Sequence, residues 1–170
     1  MGLEIRRAKV RDEHILRDLR VQALTDAPEA FGSTLERELA RTIEDWRRWM
    51  APGVTFLVLA ENEPRGLVAG VCDAVNGAVV HLMAMWVDPA IRGSGAADLL
   101  VAAVKKWAAE FGATEVRLSV VENNTRARRC YERNGFSITG RRGTVARSGD
   151  AEIEMACLIR GERARDTAES

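Results

Sequence analysis

Arg92, Gly93, Ser94, Gly95, Ala96 and Ala97 sit between an apolar run ending at Val87 and a helical pattern beginning near Gly95. Small residues at a helix start let a ligand come close to the backbone, and the first helical turn offers N–H donors with no partner inside the helix. Those donors and the positive end of the helix dipole suit a phosphate, and Arg92 adds a charged fork. Two common phosphate loops do not fit. A nucleotide-hydrolysing loop needs a lysine followed by Ser or Thr after its last glycine, and "GSGAADLL" has neither. A dinucleotide loop needs a third glycine where this chain has Asp98, too large and charged for tight strand–helix packing; Glu115, roughly placed as a ribose-binding acid about 20 residues on, does not repair the motif. Downstream, Cys130 adjoins Tyr131, the one tyrosine of the chain. A thiolate at Cys130 would be a nucleophile, but no histidine or other base flanks it. No His, Cys or Asp cluster has metal-ligand spacing, so no metal is expected.

The elements that must hold these residues can be read from periodicity. "LEIRRA" alternates as a first strand, and Ile15, Leu16, Leu19 and Ala23 form a helical stripe with Asp12 as its candidate N-cap. After the break at Pro28 and Gly32, Leu35, Leu39, Ile43, Trp46 and Met50 predict one further helix. Trp46 and Trp49 read as helix-packing residues rather than a stacking platform. "VTFLVLAE", "GLVAGVCDAV" and "GAVVHLMAMWVD" predict a three-strand meander. A helix from about Gly95 to Phe111, the strand "TEVRLSVVE", a short helix closed by Gly135 and two strands around "GRRGTVARSGD" complete the order. This alternation predicts a mixed α/β or α+β sheet with helices on its faces.

Arg92-x-x-Gly95-x-Ala97 resembles the R/Q-x-x-G-x-G/A pyrophosphate motif of the GNAT superfamily of N-acetyltransferases. "NNTRARRCYERNGF" resembles that family's N-x-x-A-x-x-x-Y-x-x-x-G-F pattern, with Asn124, Ala127, Tyr131, Gly135 and Phe136 in place. The two patterns stand at the family's usual separation with a strand between them, and the order of elements is similar along nearly the whole chain. The resemblance implies a GNAT fold, a mixed sheet of about six or seven strands that splays at an acetyl-CoA site. It implies transfer of an acetyl group from acetyl-CoA to a primary amine in a ternary complex. Met85, Trp86 and Val87 would contact the pantetheine arm through their backbone. Arg92, Gly93, Ser94, Gly95, Ala96 and Ala97 would surround the pyrophosphate. Asn124, Ala127, Cys130 and Tyr131 would complete the cofactor side.

Direct attack on a thioester needs a neutral amine and a protonated leaving thiol, whose ordinary pKa values are about 10.4 and about 8.5. Both a proton acceptor and a proton donor therefore help at neutral pH. By the resemblance Tyr131 fills the general-acid position. His81, at the start of its strand, stands where histone-type members carry a glutamate base. Glu122, Glu36, Glu38 or a chain of waters are the alternatives. The loop after the first helix and the final hairpin loop would shape the acceptor pocket, where Arg141, Arg142 and Arg147 offer either recognition of an acidic acceptor or a solvated basic loop. "AEIEMACLIR" is a candidate contact for a homodimer. The second class of reading is a non-catalytic acyl-CoA-binding or assembly module of the same fold.

Composition bounds these readings. With 170 residues, 46% of them hydrophobic, the chain suits one domain over residues 1–160 followed by a polar tail at 161–170. The 25 basic and 25 acidic side chains cancel, so broad nucleic-acid or membrane-surface binding is not expected and an anionic ligand must be met locally. Cys72, Cys130 and Cys157 lack paired spacing and the amino terminus lacks a signal-peptide pattern, so a cytoplasmic protein with reduced thiols is expected. No run approaches the roughly 20 apolar residues of a membrane span.

Overall fold

A computed structural model describes residues 2–160. The polar tail expected at 161–170 lies outside the described residues. One seven-stranded sheet runs in the order β1-β2-β3-β4-β5-β7-β6, with β1 (Leu3–Arg7), β2 (Gly53–Ala60), β3 (Glu63–Cys72), β4 (Val79–Val87), β5 (Glu115–Val121), β6 (Ser137–Thr144) and β7 (Ala151–Leu158). Helices α1 (Glu13–Asp26), α2 (Leu35–Leu39) and α3 (Ile43–Met50) precede the meander, and α4 (Ala96–Glu110) and α5 (Thr125–Arg133) flank β5 in sequence. All pairings are antiparallel except β4 with β5.

Alternation along the central strands feeds two cores. In β2, Val58 and Ala60 join a cluster with Leu100, Val101 and Val104 of α4, while Leu57 and Leu59 join a cluster with Leu16 and Leu19 of α1 and Trp46 of α3. The helices therefore sandwich the sheet, and β2 and β3 are apolar on both faces because both faces are covered.

Three details differ from the sequence expectation. The single helix expected over Leu35–Met50 is broken, because the Thr42 side chain accepts from the Asp45 amide and Asp45 bonds back to the Thr42 amide, a capping box that starts α3 anew. Leu39 and Ile43 consequently stay exposed and only Trp46 of that stripe is fully inside, with Trp49 packed edge-on at 6.3 Å. Asp12 precedes α1 without capping it through its side chain, and accepts instead from both Arg6 nitrogens and the Lys9 amide. Of "AEIEMACLIR", Ala151–Leu158 form β7, which is hydrogen-bonded on both sides; the open edge at that end of the sheet is β6, exposed along its whole length. Arg141 and Arg142 belong to this strand rather than to a loop.

Candidate functional site

Strand β4 changes character halfway along. Val79, Val80 and His81 pair with Glu115, Val116 and Arg117 of β5, and beyond His81 no residue of β4 is in register with β5. On its other side β4 continues to pair with β3, through a one-residue bulge where Leu67 faces Trp86 but Ala69 faces Met83. Ala84, inside the bulge, has φ +57°, a conformation an L-residue adopts at a cost on the order of 1–2 kcal/mol. The bulge and the parting from β5 leave the β5-facing edge of Met83–Val87 without a strand partner, while Met83, Trp86 and Val87 stay in register with β3. Met83–Val87 line a cavity of about 650 Å³ whose opposite wall is Ser119, Val120 and Val121 of β5.

At one end of this cavity α4 begins. Gly95, its N-cap, has φ +89°, a value glycine alone adopts without strain, and no side chain caps the helix. Among the described residues the amides of Gly93, Gly95, Ala96 and Ala97 meet no protein acceptor. Ala97 lines the cavity; Gly93, Ser94, Gly95 and Ala96 build the turn beside it without lining it, and the Ser94 hydroxyl donates to the Ile91 carbonyl at 2.5 Å. The Arg92 guanidinium is not a free fork. Its Nε donates to the Val87 carbonyl at 3.0 Å and its Nη2 meets Asp26 Oδ2 at 2.5 Å. The same Asp26 oxygen accepts from the indole of Trp86 at 3.0 Å, and these two partners, the indole first, hold its carboxyl below the ordinary range.

Helix α5 supplies the third wall, capped by Asn124, whose Oδ1 accepts from the Ala127 amide at 3.2 Å. Asn124, Ala127, Cys130 and Tyr131 all line the cavity, as do Met85, Trp86 and Val87. Tyr131 is buried, and its hydroxyl has no protein partner among the described residues. Burial, with the neighbouring Cys130 adding to it, pushes its phenol well above the usual value. Burial and the charge of Asp98 likewise push the Cys130 thiol up. Such a thiol stays protonated at neutral pH, contrary to what an acetyl-cysteine route needs.

His81, Glu122, Glu36 and Glu38 are not brought to the cavity. His81 lies on the closed half of β4, where its Nε2 meets Asp73 Oδ2 at 2.7 Å, so the base role expected from its place in the strand has no geometry behind it. Glu122 pairs with Arg142. Glu38 is fully buried against Ser33, Arg41 and Arg20, and Glu36 is exposed elsewhere. Among the described residues the carboxylates that line the cavity are Asp26, Glu29 and Asp150; Phe31 lines it beside them, and the sequence reading named none of the four. Arg147 closes this side by donating to the carbonyls of Pro28 at 2.5 Å and Phe31 at 3.4 Å, so it is spent on the wall rather than offered to an acidic acceptor. One sequence signal for Asp26 existed: it ends α1, where the helix dipole disfavours an acid. Among the described residues no group of three or more His, Cys, Asp or Glu is placed to hold a metal ion, and no helix is long and apolar enough to cross a membrane. The three cysteines are free.

Residues 18–136 match the family model described as acetyltransferase (GNAT) family. That is well over half of the chain, and the chain belongs to this family. Uncharacterized N-acetyltransferases of Mycobacterium bovis and Mycobacterium tuberculosis are each 41% identical to it over 63 residues, 37% of this chain and 40% of theirs. The match thus spans less than half the length of those relatives. The fold is similar to that of an acetyltransferase of the GNAT family from Streptococcus pneumoniae, with TM-score 0.79 at 20% identity over 93% of this chain and 99% of that one. It is also similar to an acetyltransferase of Salmonella typhimurium solved with acetyl-CoA, with TM-score 0.77 at 15% identity over 99% and 100% of the two chains. The mixed sheet of about six or seven strands that the resemblance implies is observed with seven strands, and it splays between β4 and β5.

Proposed function

We propose that the protein is an acetyl-CoA-dependent N-acetyltransferase that acylates a primary amine by direct attack. The observation that carries this reading is the meeting, at and beside one cavity, of unpartnered amides at the start of α4, the half of β4 that has parted from β5 and the free hydroxyl of Tyr131. Acetyl-CoA fits this arrangement: the α4 amides suit its pyrophosphate, the unpaired β4 backbone suits an extended arm with amide groups, and the small side chains of Ala97 and Ala127 leave room for both. When bound it would supply an acetyl thioester. Backbone donors of the β4 bulge would stabilise charge developing on the thioester oxygen.

The amine nitrogen forms a bond to the acetyl carbon as the carbon–sulfur bond breaks. Tyr131, protonated because burial raises its pKa, gives its proton to the departing sulfur. The proton lost by nitrogen leaves through water toward the open side, where Glu29 and Asp150 are exposed. Those two carboxylates also favour an acceptor that arrives as an ammonium ion. Free thiols suit a reducing compartment, the cytoplasm.

Thermal shift with acetyl-CoA, CoA, NAD and ATP in parallel tests the binding half, since a ligand of the native state raises Tm. A shift with acetyl-CoA and CoA alone is expected. Tyr131→Phe tests the chemical half: kcat, read as amine-dependent thiol release, falls on the order of a hundredfold while acetyl-CoA binding is kept. Unchanged turnover across pH would remove Tyr131 from the mechanism. Binding without turnover on any amine would favour a non-catalytic acyl-CoA-binding module.

A further inference from the structure

Arg20, on α1, lies outside the cavity and has no part in the chemistry above, yet it is a charge placed in a core. It is 5% exposed, and its nearest carboxylate oxygen, on Glu38, is 3.6 Å away, beyond hydrogen-bond length. Its Nε and Nη1 are buried with no hydrogen-bond partner among the described residues. The guanidinium is held instead against two rings, 5.2 Å from the centroid of Phe31 and 5.8 Å from that of Trp49. A buried charge so sparsely hydrogen-bonded costs more than an apolar side chain of similar volume at the same place, so stability alone does not account for it.

What it touches gives the account. Phe31 lines the cavity on the acceptor side, directly after the 3₁₀ turn Pro28–Ala30 that also contributes Glu29. Glu38 in turn accepts from the Ser33 hydroxyl at 2.5 Å and from Arg41 Nε at 2.8 Å. One guanidinium therefore contacts Phe31 by its face and reaches Ser33 through Glu38, gripping a segment with no regular hydrogen-bond ladder of its own. A planar guanidinium stacks on aromatic faces in a way an ammonium does not.

We propose that Arg20 is a positioning residue that fixes Phe31 and the segment 28–33 as a rigid wall of the amine-acceptor site, and so sets acceptor affinity without touching either substrate. This rests on the acetyltransferase reading above. In Arg20→Met the acceptor KM rises on the order of tenfold, while kcat at saturating acceptor and the KM for acetyl-CoA stay within about twofold. Amide hydrogen exchange quickens in residues 28–34 and is unchanged in 93–99 and 124–131. Arg20→Lys keeps the charge without the planar stack and gives an intermediate acceptor KM. Phe31→Leu, which leaves the buried charge in place, reproduces the acceptor effect even if Arg20→Met does not fold. An acceptor KM unmoved in Arg20→Lys and Phe31→Leu overturns the proposal, as does an equal fall in every kinetic constant with exchange quickened throughout. If the wild type turned over no amine, the enzymatic reading would fail by itself, and exchange in 28–34 would still decide whether Arg20 holds the wall.

Discussion

On its α4 side the cavity is walled by backbone, and on its α1 side by side chains. The first wall consists of amides freed by Gly95, by the bulge at Ala84 and by the parting of β4 from β5, with the small side chains of Ala97 and Ala127 leaving room beside them. The second is a set of cross-ties: Asp26 to Trp86 and Arg92, Arg147 to the carbonyls of Pro28 and Phe31, Arg20 to Phe31. Backbone donors bind a group common to many reactions and change little when side chains change. Cross-tied loops can be re-cut residue by residue, which is how one fold keeps a cofactor and varies an acceptor. Substitutions should then separate: those on the backbone wall act through acetyl-CoA, those on the side-chain wall through the amine.

The largest effect is expected from Ala97→Glu. A glutamate in the first turn of α4 is favoured by the dipole, which offsets part of the cost of replacing a partly buried alanine that packs beside the core, so the free protein is expected to stay folded. Its carboxylate, however, occupies the amides that would meet the pyrophosphate and repels the phosphates. Affinity for acetyl-CoA, measured by calorimetry, is expected to fall about a hundredfold or more, roughly 2.7 kcal/mol. A variant that stayed folded and bound acetyl-CoA normally would move the pyrophosphate away from α4 and dissolve the distinction between the walls.

The backbone wall was the legible one. Its requirements are met by contiguous residues, so Gly95, Ala97 and the run from Asn124 to Phe136 form short motifs whose resemblance to the GNAT patterns is visible in the sequence. The side-chain wall is assembled from residues 26–31, Arg147 and Asp150; the loop after the first helix and the final hairpin loop were expected there, but local spacing does not say which of their residues meet. His81 shows why a position within a strand was not enough. Its place on β4 was read correctly, but the sequence does not mark where β4 leaves β5, and His81 falls on the paired side beside Asp73. Glu38 looked like an available acid because Arg20, which covers it, comes from α1, while its neighbours Ser33 and Arg41 turn back onto it only once the short α2 has formed.

Asp26 is where the two walls join, because one oxygen serves Trp86 on β4 and Arg92 in the turn before α4. Asp26→Asn keeps the shape and loses the charge, so both the acetyl-CoA and the acceptor KM are expected to rise, each about fivefold, roughly 1 kcal/mol. An effect on one substrate alone would assign Asp26 to that wall. The pH dependence has a definite sign. The folded-state pKa of Asp26 lies below its unfolded value, so the stabilisation is complete above about pH 4 and is lost as pH falls through the folded pKa. The Tm advantage of wild type over Asp26→Asn is therefore expected to shrink below pH 4 and stay constant above pH 5.

The smallest effect, and the finest division, comes from Arg147→Ala. Arg147 is exposed, and its two acceptors are neutral carbonyls at the tip of the acceptor wall, so unfolding free energy should change by no more than about 0.5 kcal/mol. The tie nevertheless joins the β6–β7 loop, which carries Asp150, to the turn that carries Glu29 and Phe31. Releasing it lets the two acidic rims drift apart, and the acceptor KM should rise roughly twofold to threefold, with the KM for acetyl-CoA unmoved. Because the expected change depends on two carboxylates acting together, it should be larger for an acceptor with a second ammonium group than for a monoamine of the same length. Equal changes for the two would mean that the rims act separately, and that the wall selects by shape through Phe31 rather than by charge.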